Sequence, residues 1–207
     1  EQRPGGGIPN TVPVQGYGFP ATMPEMAVDW WGDACVNVPW ALYEATGSID
    51  ILRTMYPTMQ KYVKACRFWA GFGIGKHRYI WHTPSVLHFG DWVALDAKEG
   101  SYFGATPNDL TATAYYANSV ELLAKTATIL GKVADAEKYF DLHARIVKAF
   151  QDEFFTPTGR MAARTQTAHI LALVFHLVPQ KFMKRTVDTL LELLKENDGH
   201  LVTGFLG

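Results

Sequence analysis

Apolar residues return every three or four positions through most of the chain beyond residue 30, the spacing that lines them up on one face of a helix. The first such stretch covers about residues 31–45 and is closed by Gly47. The second covers about 50–70, with Ile51, Leu52, Met55, Met59, Tyr62, Val63, Cys66 and Trp69 in register. Pro57 lies inside it, so a kink or a break into two shorter helices is expected. Thr106-Pro107-Asn108-Asp109 has the residue types that start helices, and a third stretch runs from there to about residue 130. The fourth covers about 134–154, with Ala136, Tyr139, Phe140, His143, Ile146, Val147 and Phe150 as its stripe. The fifth, about 165–177, ends before Pro179 and is apolar nearly all round, which predicts burial on more than one side. The sixth covers about 181–195 and carries Lys181, Lys184, Arg185, Glu192, Lys195 and Glu196 as a solvated face.

Short turns join most of these stretches, which favours antiparallel neighbours and three consecutive hairpins. Three hairpins do not close a ring. The expected fold class is therefore all-α, with helical hairpins forming roughly half or more of an (α/α)6 toroid. Residues 1–27 read as an irregular lead-in, rich in Gly and Pro, as in Gly16-Tyr17-Gly18-Phe19-Pro20. Residues 28–207 read as the helical segment of an incomplete domain, because both ends of the chain lie in loop sequence. The connection across 71–108 is long and holds Tyr79, Trp81, Phe89 and Trp92; loops of that length are usually functional.

Composition narrows the function classes. The chain has 207 residues, a formal charge of −1 and 48% hydrophobic residues, too apolar for disorder. It has no basic stripe for nucleic acid and no polybasic patch for a membrane surface. No apolar run approaches the roughly 20 residues of a membrane span. Cys35 and Cys66 lack metal-ligand spacing and are expected as buried thiols, a disulfide staying open. There is no metal-binding motif, no phosphate loop after a strand and no Gly-x-Ser-x-Gly elbow, so no metal or cofactor is expected.

Two clusters carry candidate chemistry. Asp29-Trp30-Trp31-Gly32-Asp33 heads the first helix, and His88-Phe89-Gly90-Asp91-Trp92 lies in the long connection. Each places acids beside tryptophan. A pyranose needs both, since its C–H face stacks on an aromatic plane and its hydroxyls donate to carboxylates. Trp31 and Trp92 are expected as sugar-facing walls, and Asp33, Asp91 and His88 as partners of ring oxygens. Core packing is the other reading for the tryptophans. For Asp33 it is a first-turn acid favoured by the helix dipole, and for Asp91 an N-cap.

Several strings then fall in a familiar order: Trp31-Gly32-Asp33-Ala34, Val38-Pro39-Trp40-Ala41-Leu42-Tyr43, Tyr56-Pro57-Thr58-Met59, and Phe89-Gly90-Asp91-Trp92-Val93-Ala94. Thr113-Ala114-Tyr115-Tyr116, Leu130-Gly131, Gln166-Thr167-Ala168 and His200-Leu201-Val202-Thr203-Gly204-Phe205-Leu206-Gly207 complete them. The ordered set resembles the α-L-rhamnosidase family of glycoside hydrolases. The resemblance implies an α/α toroid of six hairpins and hydrolysis of terminal α-L-rhamnosides with inversion. It places the general acid in a segment upstream of these strings and the general base in a segment downstream, and this sequence contains neither. No residue here is therefore assigned as catalytic, and the isolated chain is expected to be inactive. The implied partners are a substrate with terminal rhamnose and the remainder of the catalytic domain. Other readings stay open: another six-hairpin carbohydrate hydrolase, such as a glucosidase or uronic-acid hydrolase, a non-catalytic sugar-binding relative, or a helical scaffold.

Overall fold

The computed structural model describes residues 1–9, 31–70, 78–82 and 89–207. Six α-helices organise it: α1 (Ala34–Thr46), α2 (Ile49–Ala70), α3 (Asn108–Ile129), α4 (Val133–Phe154), α5 (Gln166–Val174) and α6 (Met183–Glu196). A 3-10 turn, Gln180–Phe182, leads into α6. Among the described residues there are only two isolated β-bridges, Trp92 with Phe103 and Phe155 with Met161. The class is all-α, as expected.

α1–α2, α3–α4 and α5–α6 pack as hairpins, and α3 also touches α1, α2 and α5. α1, α3 and α5 therefore form one layer. On the other side, α2 and α4 are joined by side chains: Tyr56 Oη donates to Asp135 Oδ2 at 2.7 Å, and Gln60 Nε2 reaches the same oxygen at 3.1 Å. The described part of the lead-in docks on α2, where Gln2 Nε2 donates to Thr58 O at 2.9 Å. The rest of that segment lies outside the described residues.

The helical faces follow the sequence periods with physical exceptions. In α2, Leu52, Tyr56, Met59, Tyr62, Val63, Cys66 and Ala70 are buried at the predicted spacing. The helix runs unbroken through Pro57, so of the kink and the break expected there the break into two helices does not occur. Pro57 and Arg53 both face solvent, so the carbonyl that loses its intrahelical donor has water within reach. In α4 the buried stripe is Ala136, Tyr139, Leu142, Ile146, Phe150 and Phe154, while Phe140 lies outside it.

α5 is enclosed on more than one side, as expected, with the four consecutive residues Gln166, Thr167, Ala168 and His169 all buried, and so is α3. Leu110, Ala112, Ala114, Ala117, Ser119, Leu123 and Thr126 are buried on several of its faces. Small Ala, Ser and Thr side chains let neighbouring backbones come close without a strong apolar stripe. α5 packs on α6 and α3, and only its last residue, Val174, is exposed, at 61%.

α5 also ends earlier than expected. His176 adopts a left-handed conformation at φ 57° and Leu177 N donates back to Ala172 O at 2.8 Å. This is a Schellman-type closure with histidine where glycine is usual, so it left no signal in the sequence. His176 is exposed. His176→Gly is expected to raise stability by about 0.5–1 kcal/mol, since glycine enters this region without the Cβ clash and loses part of the gain to its freer unfolded state. Denaturant unfolding of the two proteins measures it.

Candidate functional site

The start of α1 is fixed from below. The Tyr62 ring of α2 lies against Gly32, where an added Cβ would stand 2.5 Å from Tyr62 Cε2. Glycine is needed for that approach. Asp33 is fully buried and its carboxylate accepts a hydrogen bond from Ser119 Oγ of α3. A second clasp joins the same helices, with Asn118 Nδ2 donating to Asn37 Oδ1 at 2.9 Å. Burial, with the Asp33 carboxylate nearby, pushes the Tyr62 hydroxyl and the Cys66 thiol well above their usual range. Cys35 and Cys66 are free thiols, Cys66 fully enclosed.

The loop after residue 89 is held differently. Asp91 is 1% exposed. Its carboxylate accepts from Thr167 Oγ1, from Gly204 N at 2.9 Å and from Leu206 N at 3.0 Å. The loop then folds back on itself: Val93 N donates to Tyr102 O at 2.7 Å and Gly104 N to Asp91 O at 2.9 Å. Phe205 N donates to Trp92 O at 3.0 Å, and Leu95 N to Val202 O at 3.1 Å. Val93 sits at φ 53°, a conformation that costs a β-branched residue and is kept only where the surroundings impose it.

The N-terminus of α5 closes the assembly. Thr165 caps the helix through its side chain, which accepts from Ala168 N, and its hydroxyl lies 2.6 Å from that of Thr106. Gln166 is buried. Its Nε2 donates to His200 O at 3.1 Å and its Oε1 accepts from Val202 N at 3.0 Å. Thr167 holds Asp91. Three strings far apart in sequence (around Asp91, Gln166 and Gly204) are thus one hydrogen-bonded lock.

An aromatic row joins the two predicted clusters. The Trp31 ring stacks on Phe89 with centroids 4.5 Å apart and planes at 14°. Phe89 meets Trp92 edge-on at 5.5 Å. Trp92 stacks on Tyr102 at 5.3 Å and takes the edge of Phe103 at 5.4 Å. Tyr102 is 64% exposed, so the row ends at the surface.

Of the predicted site residues, Trp31 and Trp92 are therefore brought together, with Phe89 between them. Asp33 and Asp91 flank the row from inside, with their carboxylates engaged by protein donors. His88 lies outside the described residues. Phe89, Tyr102, Ser119 and Thr167 complete the arrangement and were not singled out from sequence. Phe89 had a signal, its place between Gly90-Asp91-Trp92 and His88, and so had Thr167, its place in the string Gln166-Thr167-Ala168; Ser119 had none, being an ordinary small residue in helical sequence. Among the described residues no group of three or more His, Cys, Asp or Glu is arranged to hold a metal ion. Nor is any described helix long and apolar enough to cross a membrane.

The family model for the bacterial alpha-L-rhamnosidase six-hairpin glycosidase domain matches residues 1–207. An alpha-L-rhamnosidase of Streptomyces avermitilis is 38% identical over 182 residues, covering 86% of this chain and 15% of the relative. One of Formosa agariphila is 37% identical over 179 residues, covering 86% of this chain and 18% of the relative. The crystal structure of the Streptomyces avermitilis alpha-L-rhamnosidase complexed with L-rhamnose superposes with a TM-score of 0.74 at 37% identity, over 87% of this chain and 16% of that one. The structure of the Aspergillus terreus enzyme gives 0.78 at 32% identity, over 88% of this chain and 20% of that one. The chain thus spans a small part of the length of these relatives.

Proposed function

Because the chain belongs to the bacterial alpha-L-rhamnosidase six-hairpin glycosidase family, we propose that it forms part of the catalytic domain of an enzyme hydrolysing terminal α-L-rhamnosides with inversion. The observation that carries this reading is the row Trp31–Phe89–Trp92, assembled at the start of α1 by two locks built from the family-like strings. The relative of known structure with L-rhamnose bound supports the sugar class.

In this reading Trp31 and Trp92 are the apolar walls of the sugar subsite. Their faces suit the C–H face and methyl group of a 6-deoxy sugar. Asp33 and Asp91 are positioning residues: their carboxylates hold Ser119, Thr167 and the 204–206 backbone, and so set where the rings stand. Inversion needs a carboxylic acid to protonate the leaving oxygen and a carboxylate to activate water, roughly 6.5–9.5 Å apart. Two enclosed aspartates already accepting from the fold suit that work poorly. Their contribution is to orient the pocket in which the charge of the oxocarbenium-like state develops.

The test is hydrolysis of an aryl α-L-rhamnoside by the full protein that carries this chain, with NMR of the first-formed anomer. Inverted L-rhamnose is expected. Trp92→Ala is expected to raise KM or the L-rhamnose Kd roughly tenfold, about 1.4 kcal/mol of lost stacking. Unchanged kinetics in Trp92→Ala would remove the aromatic row from the site. Failure of the full protein to release L-rhamnose would overturn the activity itself.

A further inference from the structure

A cavity of about 450 Å3 lies between the 156–164 turn, the first turns of α5 and one face of α6. That volume is within the roughly 300–1,000 Å3 of small-molecule pockets. Arg160, Arg164, Arg185, His169 and Glu192 line it. The three arginines are not equivalent. Arg164 is taken up by Glu196 in a two-pronged pair at 2.7 and 2.6 Å. Arg185 spends one nitrogen on Thr158 O at 2.9 Å, which leaves its other N–H groups free to turn to the cavity. The Arg160 backbone is pinned in the turn, its N donating to Thr156 Oγ1 at 3.0 Å, while its guanidinium has no partner among the described residues.

Acceptors stand beside these cations. His169 is 3% exposed and its Nδ1 lies 2.8 Å from Thr165 O. A carbonyl only accepts, so Nδ1 carries the proton. Burial pushes the imidazole below its ordinary value, so the ring is neutral at neutral pH and Nε2 is an acceptor. Glu192 is a second acceptor: it is ion-paired with Arg164 at 3.7 Å, and a carboxylate has further lone pairs to offer. Two guanidinium groups with spare donors match an oxyanion. Two acceptors match hydroxyl groups on the same ligand.

We propose that this cavity binds an acidic sugar, its oxyanion facing Arg160 and Arg185 and its ring hydroxyls donating to His169 Nε2 and Glu192. The proposal stands on this cavity and is independent of the aromatic row. It is tested by isothermal titration of the full chain with D-glucuronate and with glucose 6-sulfate, using glucose and inorganic sulfate as controls at matched ionic strength. At least one acidic sugar is expected to bind more tightly than both controls, and the tighter of the two identifies the oxyanion as carboxylate or sulfate ester. Arg160→Ala is expected to weaken that binding roughly tenfold, the loss of one charge-assisted contact, with the unfolding curve and the response to L-rhamnose unchanged. Neither acidic sugar exceeding glucose, inorganic sulfate matching them, or full binding in Arg160→Ala overturns the proposal. A change in L-rhamnose response alone bears on the aromatic row and not on this cavity.

Discussion

Replacing Asp91 with alanine is expected to cost about 4 kcal/mol of stability and to free the 200–207 segment from the loop that carries Trp92. The carboxylate accepts from three donors, Thr167 Oγ1, Gly204 N and Leu206 N, and it is 1% exposed. Alanine leaves donors behind in a place that water reaches poorly, and each buried unsatisfied donor costs about 1–3 kcal/mol. The segment can escape part of that cost by undocking. Undocking would expose the Gly204 and Leu206 amides and break the bond from Phe205 N to Trp92 O. Denaturant unfolding gives the stability loss, and hydrogen exchange at those amides gives the release. Asp91→Asn keeps one acceptor oxygen and is expected to lose about half as much. An alanine variant within about 1 kcal/mol of the parent would mean that the lock does not hold the segment.

The helices were legible in the sequence because their apolar residues repeat at the helical period, and α2 and α4 bury nearly the faces that period predicts. What was not legible depends on contacts distant in sequence. The central place of α3 rests on Ala112, Ala114, Ala117 and Ser119, small residues that make a weak periodic signal but allow several neighbours to close in. The early end of α5 rests on a left-handed histidine. Asp33 and Asp91 were visible as acids beside tryptophan, which suggested contact with a sugar. Their burial was not visible, because their donors come from elsewhere: Thr167 lies 76 residues from Asp91, and Leu206 lies 115 residues away. The same reasoning explains why Gln166, the first residue of α5, reads from sequence as a helix-start residue and proves in the structure to fasten the backbone at His200 and Val202.

Gly204→Ala is expected to cost about 2–3 kcal/mol and to displace Trp92 without touching any of its side-chain contacts. An added Cβ would stand 2.3 Å from Trp92 O, 2.7 Å from Ala94 N and 2.9 Å from Ala94 Cα. All three atoms are backbone, so no side chain can turn aside to make room. Nor is that backbone free to retreat, because Val93 between them is already at φ 53° and is tied to Tyr102 O, while Trp92 O is tied to Phe205 N. The strain must move either the 204–206 segment off Asp91 or the Trp92 loop off the segment. Both routes pull Trp92 from its stack on Tyr102, so L-rhamnose affinity is expected to fall with stability, as near-ultraviolet circular dichroism and ligand titration would register together. Because Asp91 and Gly204 act on one junction, the two substitutions are expected to be markedly non-additive: once Asp91→Ala has released the segment, Gly204→Ala has little left to displace. Losses that simply sum in the double variant would mean two separate contacts, and the position of the sugar-facing tryptophan would then not depend on the far end of the chain.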